Sequence, residues 1–350
     1  MGSAPEAQKM LQIQCSGTPH EIGYKHGQSA KAPILRTIAF YTWMFQDSCK
    51  LDWPKVQDLA MQFEPSIKQN WPDYLEEMTG IAEGAQLPLS SILAINVRTE
   101  IAFGAFSDGC TALSWRTSNA SWLAQNWDWN PRQQENLIQL TIEQIGKPTI
   151  KMITEAGLIG KIGLNSAGVG VCLNAIKAKG MNSTRLPCHL GLRMVLESRS
   201  RDEAVKRLES YGIASPCHML VADASGGVGL EWSSIDVKKL EMNTKQQVFH
   251  TNHYLTKHEG VHDENWLKDS NFRVSRVEQL CNDIEGGLSY EKILEVFKDK
   301  KNHPASICRT AEEARGSGTL FNIVMDLSKA RADVIVGKPD GDGERIVLAF

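Results

Sequence analysis

The chain has 350 residues, 42% of them hydrophobic and 23% charged, with 38 basic and 41 acidic side chains and a formal net charge of −3. This is the balance of a globular protein with ample material for a core, and with no dense Lys/Arg run it argues against a nucleic-acid footprint; the nearest approach, Lys298-Asp299-Lys300-Lys301, reads as a solvated helix end. No apolar stretch reaches eighteen residues and no N-terminal signal is visible, so neither a membrane span nor secretion is expected. Eight cysteines lie scattered without a CxxC pair, which suits reduced, buried thiols in the cytosol better than a disulfide scaffold.

No Pro/Gly/Ser-rich or charge-block linker divides the chain, so one globular unit is expected, with a helical N-terminal portion. Apolar residues at three- and four-residue spacing predict helices over 28–46, 53–69, 72–84 and 88–102, punctuated by Pro and Gly. At Cys110 the period switches to two. Residues 111–116 and 122–127 predict a hairpin, followed by strands at 136–145, 149–154, 160–165 and 169–175. Helices at 188–197 and 201–211 come next, then strands at 218–222, 229–232, 239–242 and 248–250. Helices at 271–283 and 290–299 precede a closing hairpin, 320–326 with 332–336, and a last strand at 345–349. Strand runs interleaved with helix pairs predict an α+β layered fold with antiparallel sheets.

The chemistry concentrates in Asp108-Gly109-Cys110-Thr111-Ala112, with Asp128 eighteen residues beyond the cysteine in Gln125-Asn126-Trp127-Asp128. A glycine followed by a cysteine that opens a strand is how a chain would present a nucleophile at a sheet edge and cut itself there. A thiol wants a base beside it. If the Gly109–Cys110 bond breaks, the freed α-amine, with an ordinary pKa of about 7.7–8.0, sits on the same residue as the thiol. No histidine falls between His26 and His189 to serve as a local base. The plainer reading of Cys110 is a buried hydrophobic cysteine.

Other candidates weigh less. His250, His253, His258 and His262, with Asp263 or Glu264, could be drawn as a metal site, but their spacing lacks the helical His-Glu-x-x-His pattern. A solvated loop with some structural histidines is the expectation, and no metal or cofactor is expected. The glycines of 223–229 lack the Lys-Ser/Thr of a phosphate cradle and read as a hairpin turn. Trp115, Trp122, Trp127 and Trp129 read as packing residues, with room for one to line an acyl pocket. Arg309, in Ser306-Ile307-Cys308-Arg309, is either an exposed arginine paired with Glu312 and Glu313 or a guanidinium for a substrate carboxylate.

Together these blocks resemble the acyl-coenzyme A:6-aminopenicillanic acid acyltransferase family of N-terminal-nucleophile hydrolases. The resemblance runs from Met10-Leu11-Gln12-Ile13-Gln14-Cys15 through Glu21-Ile22-Gly23-Tyr24-Lys25-His26-Gly27 and the Cys110 and Asp128 blocks. It continues through Thr154-Glu155-Ala156-Gly157, Gly163-Leu164-Asn165-Ser166-Ala167-Gly168, His250-Thr251-Asn252-His253, the Arg309 block and Thr319-Leu320-Phe321-Asn322-Ile323.

The resemblance implies an αββα sandwich and a proenzyme cut before Cys110 into residues 1–109 and 110–350, held as a heterodimer. It implies Asn252 as the oxyanion donor, Asp128 as orienter of the Cys110 α-amine, and Arg309 as a substrate-binding or pocket-tuning group. The implied activity is cysteine N-acyl transfer from an acyl-CoA or similar donor, or an amide, to a small amine, in fungal-type secondary metabolism. An amidohydrolase on the same machinery and an uncleaved binding scaffold are the alternatives. Ala112 replaces the second threonine of the family's DGCTT pattern, and Val347-Leu348-Ala349-Phe350 is not a Ser-Lys-Leu-type peroxisomal address, so the cytosol is the expected location.

Overall fold

The computed structural model describes residues 9–102, 109–261, 263, 267–312 and 316–350. Thr18 starts the helical part: Glu21 returns a carboxylate oxygen to the Thr18 N–H at 2.8 Å, completing a capping box ahead of α1 (Pro19–Ser29). The helix expected over 28–46 is divided. Pro33 lacks the N–H that would bond the Ser29 carbonyl, so α1 ends at Ala30 and α2 (Lys31–Met44) begins anew before a π-helical turn, Phe45–Cys49. Pro65 divides the next segment in the same way, into α3 (Trp53–Met61) and α4 (Glu64–Asn70). Then come α5 (Pro72–Ala85), α6 (Leu89–Asn96) and α7 (Arg98–Ala102).

Helices α1 and α5 meet backbone to backbone through two facing glycine pairs. A Cβ on Gly23 would lie 1.9 Å from the Glu77 carbonyl oxygen and one on Gly27 2.2 Å from that of Ile81; reciprocally, Gly80 and Gly84 would come 2.2 Å from the carbonyls of His20 and Tyr24. No side chain fits at any of the four.

Strand β1 (Leu11–Ser16), not anticipated from sequence, forms the edge of an eight-stranded sheet and runs parallel to β4 (Leu137–Glu143). The sheet continues antiparallel through β5 (Ile150–Glu155), β6 (Ile162–Asn165), β7 (Gly170–Ala175), β8 (Cys217–Asp223), β9 (Gly226–Trp232) and β10 (Val237–Leu240). A six-stranded antiparallel sheet has the order β11 (Gln247–His250), β2 (Thr111–Arg116), β3 (Ser121–Trp129), β12 (Gly318–Asp326), β13 (Arg331–Val336), β14 (Arg345–Ala349). The two sheets face each other through β2 and β3 against β7, β8 and β9.

Helices α8 (Cys188–Leu196) and α9 (Arg201–Tyr211) cover the larger sheet, while α10 (Asp269–Asn282) and α11 (Tyr290–Phe297) cover the smaller. This is an αββα sandwich. The period-two pattern sorts its residues: Ala112 and Leu123 join the core between the sheets, whereas Leu113, Trp122 and Ala124 join the cluster under α10 and α11 with Val277, Ile293 and Phe297. The glycines at 226–229 belong to the β8–β9 hairpin, with Gly226 at φ +110° in its turn. Among the described residues no helix is long and apolar enough to cross a membrane.

Candidate active site around Cys110

Register brings the site together. Strand β2 lies between β11 and β3, with His250 opposite Ala112 and Asn126 opposite Thr111. Continuing each register past the strand end places Asn252 beside Cys110 on one side and Asp128 beside Gly109 on the other. The geometry agrees: the Cys110 N–H donates to Asn252 Oδ1 at 2.8 Å, and the Cys110 Sγ lies 4.0 Å from the Asp128 carbonyl oxygen. Cys110 and Asp128 are fully buried and Asn252 nearly so.

Around this trio the polar groups interlock. Asn252 donates from Nδ2 to the Ala175 carbonyl at 3.0 Å and from its backbone N–H to Ser270 Oγ at 2.7 Å. Thr319 on β12 donates its hydroxyl to Asp128 Oδ1 at 2.7 Å and receives the Arg309 N–H at 3.1 Å. Arg309 pairs with Asp269, and its Nε lies 3.6 Å from Asp128 Oδ2. Its guanidinium also occupies the space a side chain at residue 109 would need, since a Cβ on Gly109 would stand 2.6 Å from Arg309 Nε.

The group that joins Cys110 to the Asn252 amide is Arg273, wholly buried on α10. Its Nη1 donates to the Cys110 carbonyl at 2.6 Å and to Thr111 Oγ1 at 3.1 Å, its Nη2 to Asn252 Oδ1 at 2.8 Å, and its Nε to Asp269 at 2.7 Å. Burial and the neighbouring Arg309 charge hold the Arg273 guanidinium below its ordinary value, against the pull of Asp269. Burial works to raise the Asp269 carboxyl, but Arg273 and Arg309 win and keep it below the usual range. With Oδ1 fixed by two donors, the Asn252 amide has one orientation.

A cavity of about 60 Å³ adjoins the trio through Ala175 and Trp127, with Trp129, Leu173, Arg98 and Lys161 in its wall. That is room for about four waters. Beneath it Glu155 accepts from Arg98 at 2.5 Å and from Lys161 at 3.0 Å, and Lys161 sits 4.2 Å above the Trp127 ring. Burial would raise the Glu155 carboxyl, but the two cations bring it down to about 2.

Residues 115–341 match the family model described as acyl-coenzyme A:6-aminopenicillanic acid acyl-transferase. Over 346 residues the chain is 43% identical to the acyl-coenzyme A:6-aminopenicillanic-acid-acyltransferase 40 kDa form of Emericella nidulans, covering 97% of this chain and 96% of the relative. The chain belongs to this family. As an acyltransferase-family member the protein is an enzyme.

Among solved structures, this chain is similar to a penicillin V acylase from Agrobacterium tumefaciens, with TM-score 0.43 and 13% identity over 69% of this chain and 86% of that one. It is also similar to a conjugated bile acid hydrolase variant from Clostridium perfringens, with TM-score 0.40 and 15% identity over 69% and 97% of the respective chains.

The structure corrects one sequence expectation. Arg309 is buried and paired with Asp128 and Asp269, not exposed beside Glu312; Glu313 lies outside the described residues. The histidine segment is the solvated loop with structural histidines that was expected: Leu255, Lys257, Glu259 and Gly260 are exposed, while His250, His253 and His258 are buried and bonded to protein groups, His253 to Ser270 Oγ at 2.7 Å and His258 to Asp236 at 2.6 Å. His262 and Glu264 lie outside the described residues, and no metal-holding cluster of His, Cys, Asp or Glu occurs among the described ones. Trp127 and Trp129 line the cavity as well as packing the core.

Sequence reasoning missed Arg273 and Asp269. Their only signal was a carboxylate and a guanidinium four residues apart on a helix, a spacing shared with any surface ion pair.

Proposed function

We propose that the protein is a self-processing acyltransferase whose nucleophile is the thiol of Cys110 once that residue has become an N-terminus. The observation that carries this reading is the Cys110 nitrogen held at 2.8 Å on Asn252 Oδ1, with Arg273 gripping the carbonyl of the same residue. In processing, the Cys110 thiol adds to the Gly109 carbonyl carbon, the C–N bond breaks, and the acyl group moves to sulfur as the α-amine is released. Water then attacks the thioester and leaves a Gly109 carboxylate and a free thiol. The small residue at 109 keeps Arg309 seated beside the bond that breaks.

In turnover the α-amine serves as base for the thiol on the same residue, and Asn252 Oδ1 receives one of its N–H bonds. The Asn252 Nδ2 holds the Ala175 carbonyl with one hydrogen, and we assign its other to the acyl oxygen as negative charge develops there. Asp128, itself held by Thr319, sits with Arg309 and orients the amine. The acyl group is taken from an activated donor of the acyl-CoA type and passed to a small amine, the chemistry named for the Emericella nidulans relative, and within fungal secondary metabolism. Eight free cysteines support a cytosolic setting.

Intact-protein mass spectrometry of wild type beside Cys110→Ala tests the first step. Two wild-type species summing to the chain plus one water, with Cys110 leading the larger, and a single full-length mutant are expected. A wild-type chain that stays whole over days overturns it. A time course with and without added amine then separates transfer from hydrolysis: amine-dependent amide formation supports transfer, and amine-insensitive acid release overturns it.

A further inference from the structure

Two residues before Asn252, His250 has both ring nitrogens on acceptors. Nδ1 lies 2.9 Å from the Thr251 carbonyl and Nε2 2.9 Å from Glu231 Oε1 on β9, across the sheet interface. A carbonyl cannot donate. Glu231 also accepts from the Leu255 N–H at 2.5 Å and the Thr256 N–H at 3.1 Å, and the Thr256 hydroxyl donates to it, so donors converge on both of its oxygens. A carboxylate so surrounded is ionised, and both nitrogens of His250 must then carry hydrogen.

We infer that Glu231 and His250 form a buried carboxylate–imidazolium pair that positions Asn252, an inference that rests on the role given to Asn252 above. The pair holds the Asn252 loop on both flanks. His250 fixes the Thr251 carbonyl while Ser270 Oγ receives the N–H of the same peptide plane at 2.7 Å, and Glu231 anchors Leu255 and Thr256 on the far side. Within the stacked ring pair the charge sits on His250. The ring of His218 stacks on it at 3.5 Å and 12°, but burial and the His250 charge push His218 well below its ordinary value. A neutral His218 donates from Nδ1 to Asn174 Oδ1 at 3.1 Å, steadying the strand whose next residue, Ala175, receives the Asn252 amide. The other histidine facing the carboxylate, His258, lies 3.6 Å from Glu231 Oε2 and is bonded at 2.6 Å to Asp236. Glu231 and His250 are positioning residues, acting on the acyl oxygen only through Asn252.

Full-chain protein with ¹⁵N-labelled histidine rings tests the pair without reference to activity. At neutral pH His250, assigned by its loss in His250→Gln, should show two protonated ring nitrogens and His218 one. Should that variant not fold, Glu231→Asp provides the assignment by shifting the ring it faces. A single protonated nitrogen on His250 overturns the pair. Positioning is read with p-nitrophenyl hexanoate: Glu231→Ala should lower kcat by about tenfold or more with KM within about twofold, as small misplacements of a catalytic group do. Glu231→Gln, which still accepts from Leu255 and Thr256, should recover part of the loss. Unchanged kcat in Glu231→Ala overturns the positioning role. If Asn252→Ala itself keeps wild-type kcat, the reading of Asn252 falls while the ring-nitrogen result still decides the pair.

Discussion

Two buried arginines, each bonded to several partners, are treated in opposite ways by this molecule. Arg193 on α8 meets two carboxylates, Glu77 of α5 at 2.7 Å and Glu197 at 3.1 Å, and although burial works against its charge these neighbours hold it above its ordinary value. Arg273 has one hydrogen-bonded carboxylate, Asp269, which it shares with a second arginine, and three further hydrogens go to the Cys110 carbonyl, Thr111 and Asn252; it is held below its ordinary value. The first arrangement is electrostatically content and ties helical layer to sandwich. The second keeps two guanidinium groups close together beside Cys110, a conflict that folding alone would not favour.

Removing each arginine should separate the roles. Arg273→Ala should cut the rate of Cys110 acylation by about 10²-fold, the scale for misplacing a catalytic group, measured with a thioester donor and single-turnover kinetics. Arg273→Lys should recover little, because an ammonium cannot span the carbonyl, hydroxyl and amide together. A wild-type acylation rate in Arg273→Ala would remove the distinction between the two arginines. Arg193→Met should do the converse, leaving Glu77 buried without its cation and Glu197 with Lys147 and Arg207, at a cost of about 3 kcal/mol, with the rate per folded molecule unchanged. Denaturant titration beside activity measures both.

The Arg193 region also contains a pH effect. Burial, with a smaller push from Arg193, brings His26 down to about 4, and its Nε2 accepts the Gly157 N–H at 3.1 Å. A histidine that ionises more readily unfolded than folded contributes stability that is full above about 6.5 and is lost as pH falls through 4, on the order of 3 kcal/mol. His26→Gln, whose amide oxygen can take the Gly157 N–H, should flatten the unfolding curve between those limits; an equally steep curve in the variant would assign the slope elsewhere. The smallest effect belongs to the nucleophile region. Gly109→Ala places a methyl 2.6 Å from Arg309 Nε and should slow the appearance of the two fragments by about tenfold, followed by mass spectrometry; unaltered kinetics would show that Arg309 yields freely.

The sequence made some of this contrast readable and concealed the rest. The β2–β3 hairpin, Cys110 at its opening and Asp128 follow from local period and short motifs, Asn252 only from the family resemblance, and the observed register brings Cys110, Asp128 and Asn252 together. Strand β1 escaped because Ile13 and Cys15 are its only buried residues, too short an alternation to stand out, and its partner β4 lies more than a hundred residues away. The divided helices escaped because a three-and-four spacing passes unbroken through Pro33 and Pro65, where the backbone cannot follow. Arg273 and the Glu231–His250 pair were hidden for a further reason: their partners come from strands and loops remote in sequence, and no local pattern records which carbonyl a buried donor will meet.

The parallel pairing of β1 with β4 gives the proposed cut a direction in time. A chain folded while continuous threads its first strand into the eight-stranded sheet and locks α1 against α5; once the Gly109–Cys110 bond is gone, neither feature is covalently tied to residues 110–350. Opening the Cys110 bond would leave the fold standing but turn its recovery after denaturation from a unimolecular event into a search between two fragments, dependent on their concentration. The mature enzyme would thus retain a shape that only its precursor could easily acquire, and heat or denaturant would erase it in a way that the uncut Cys110→Ala chain would survive.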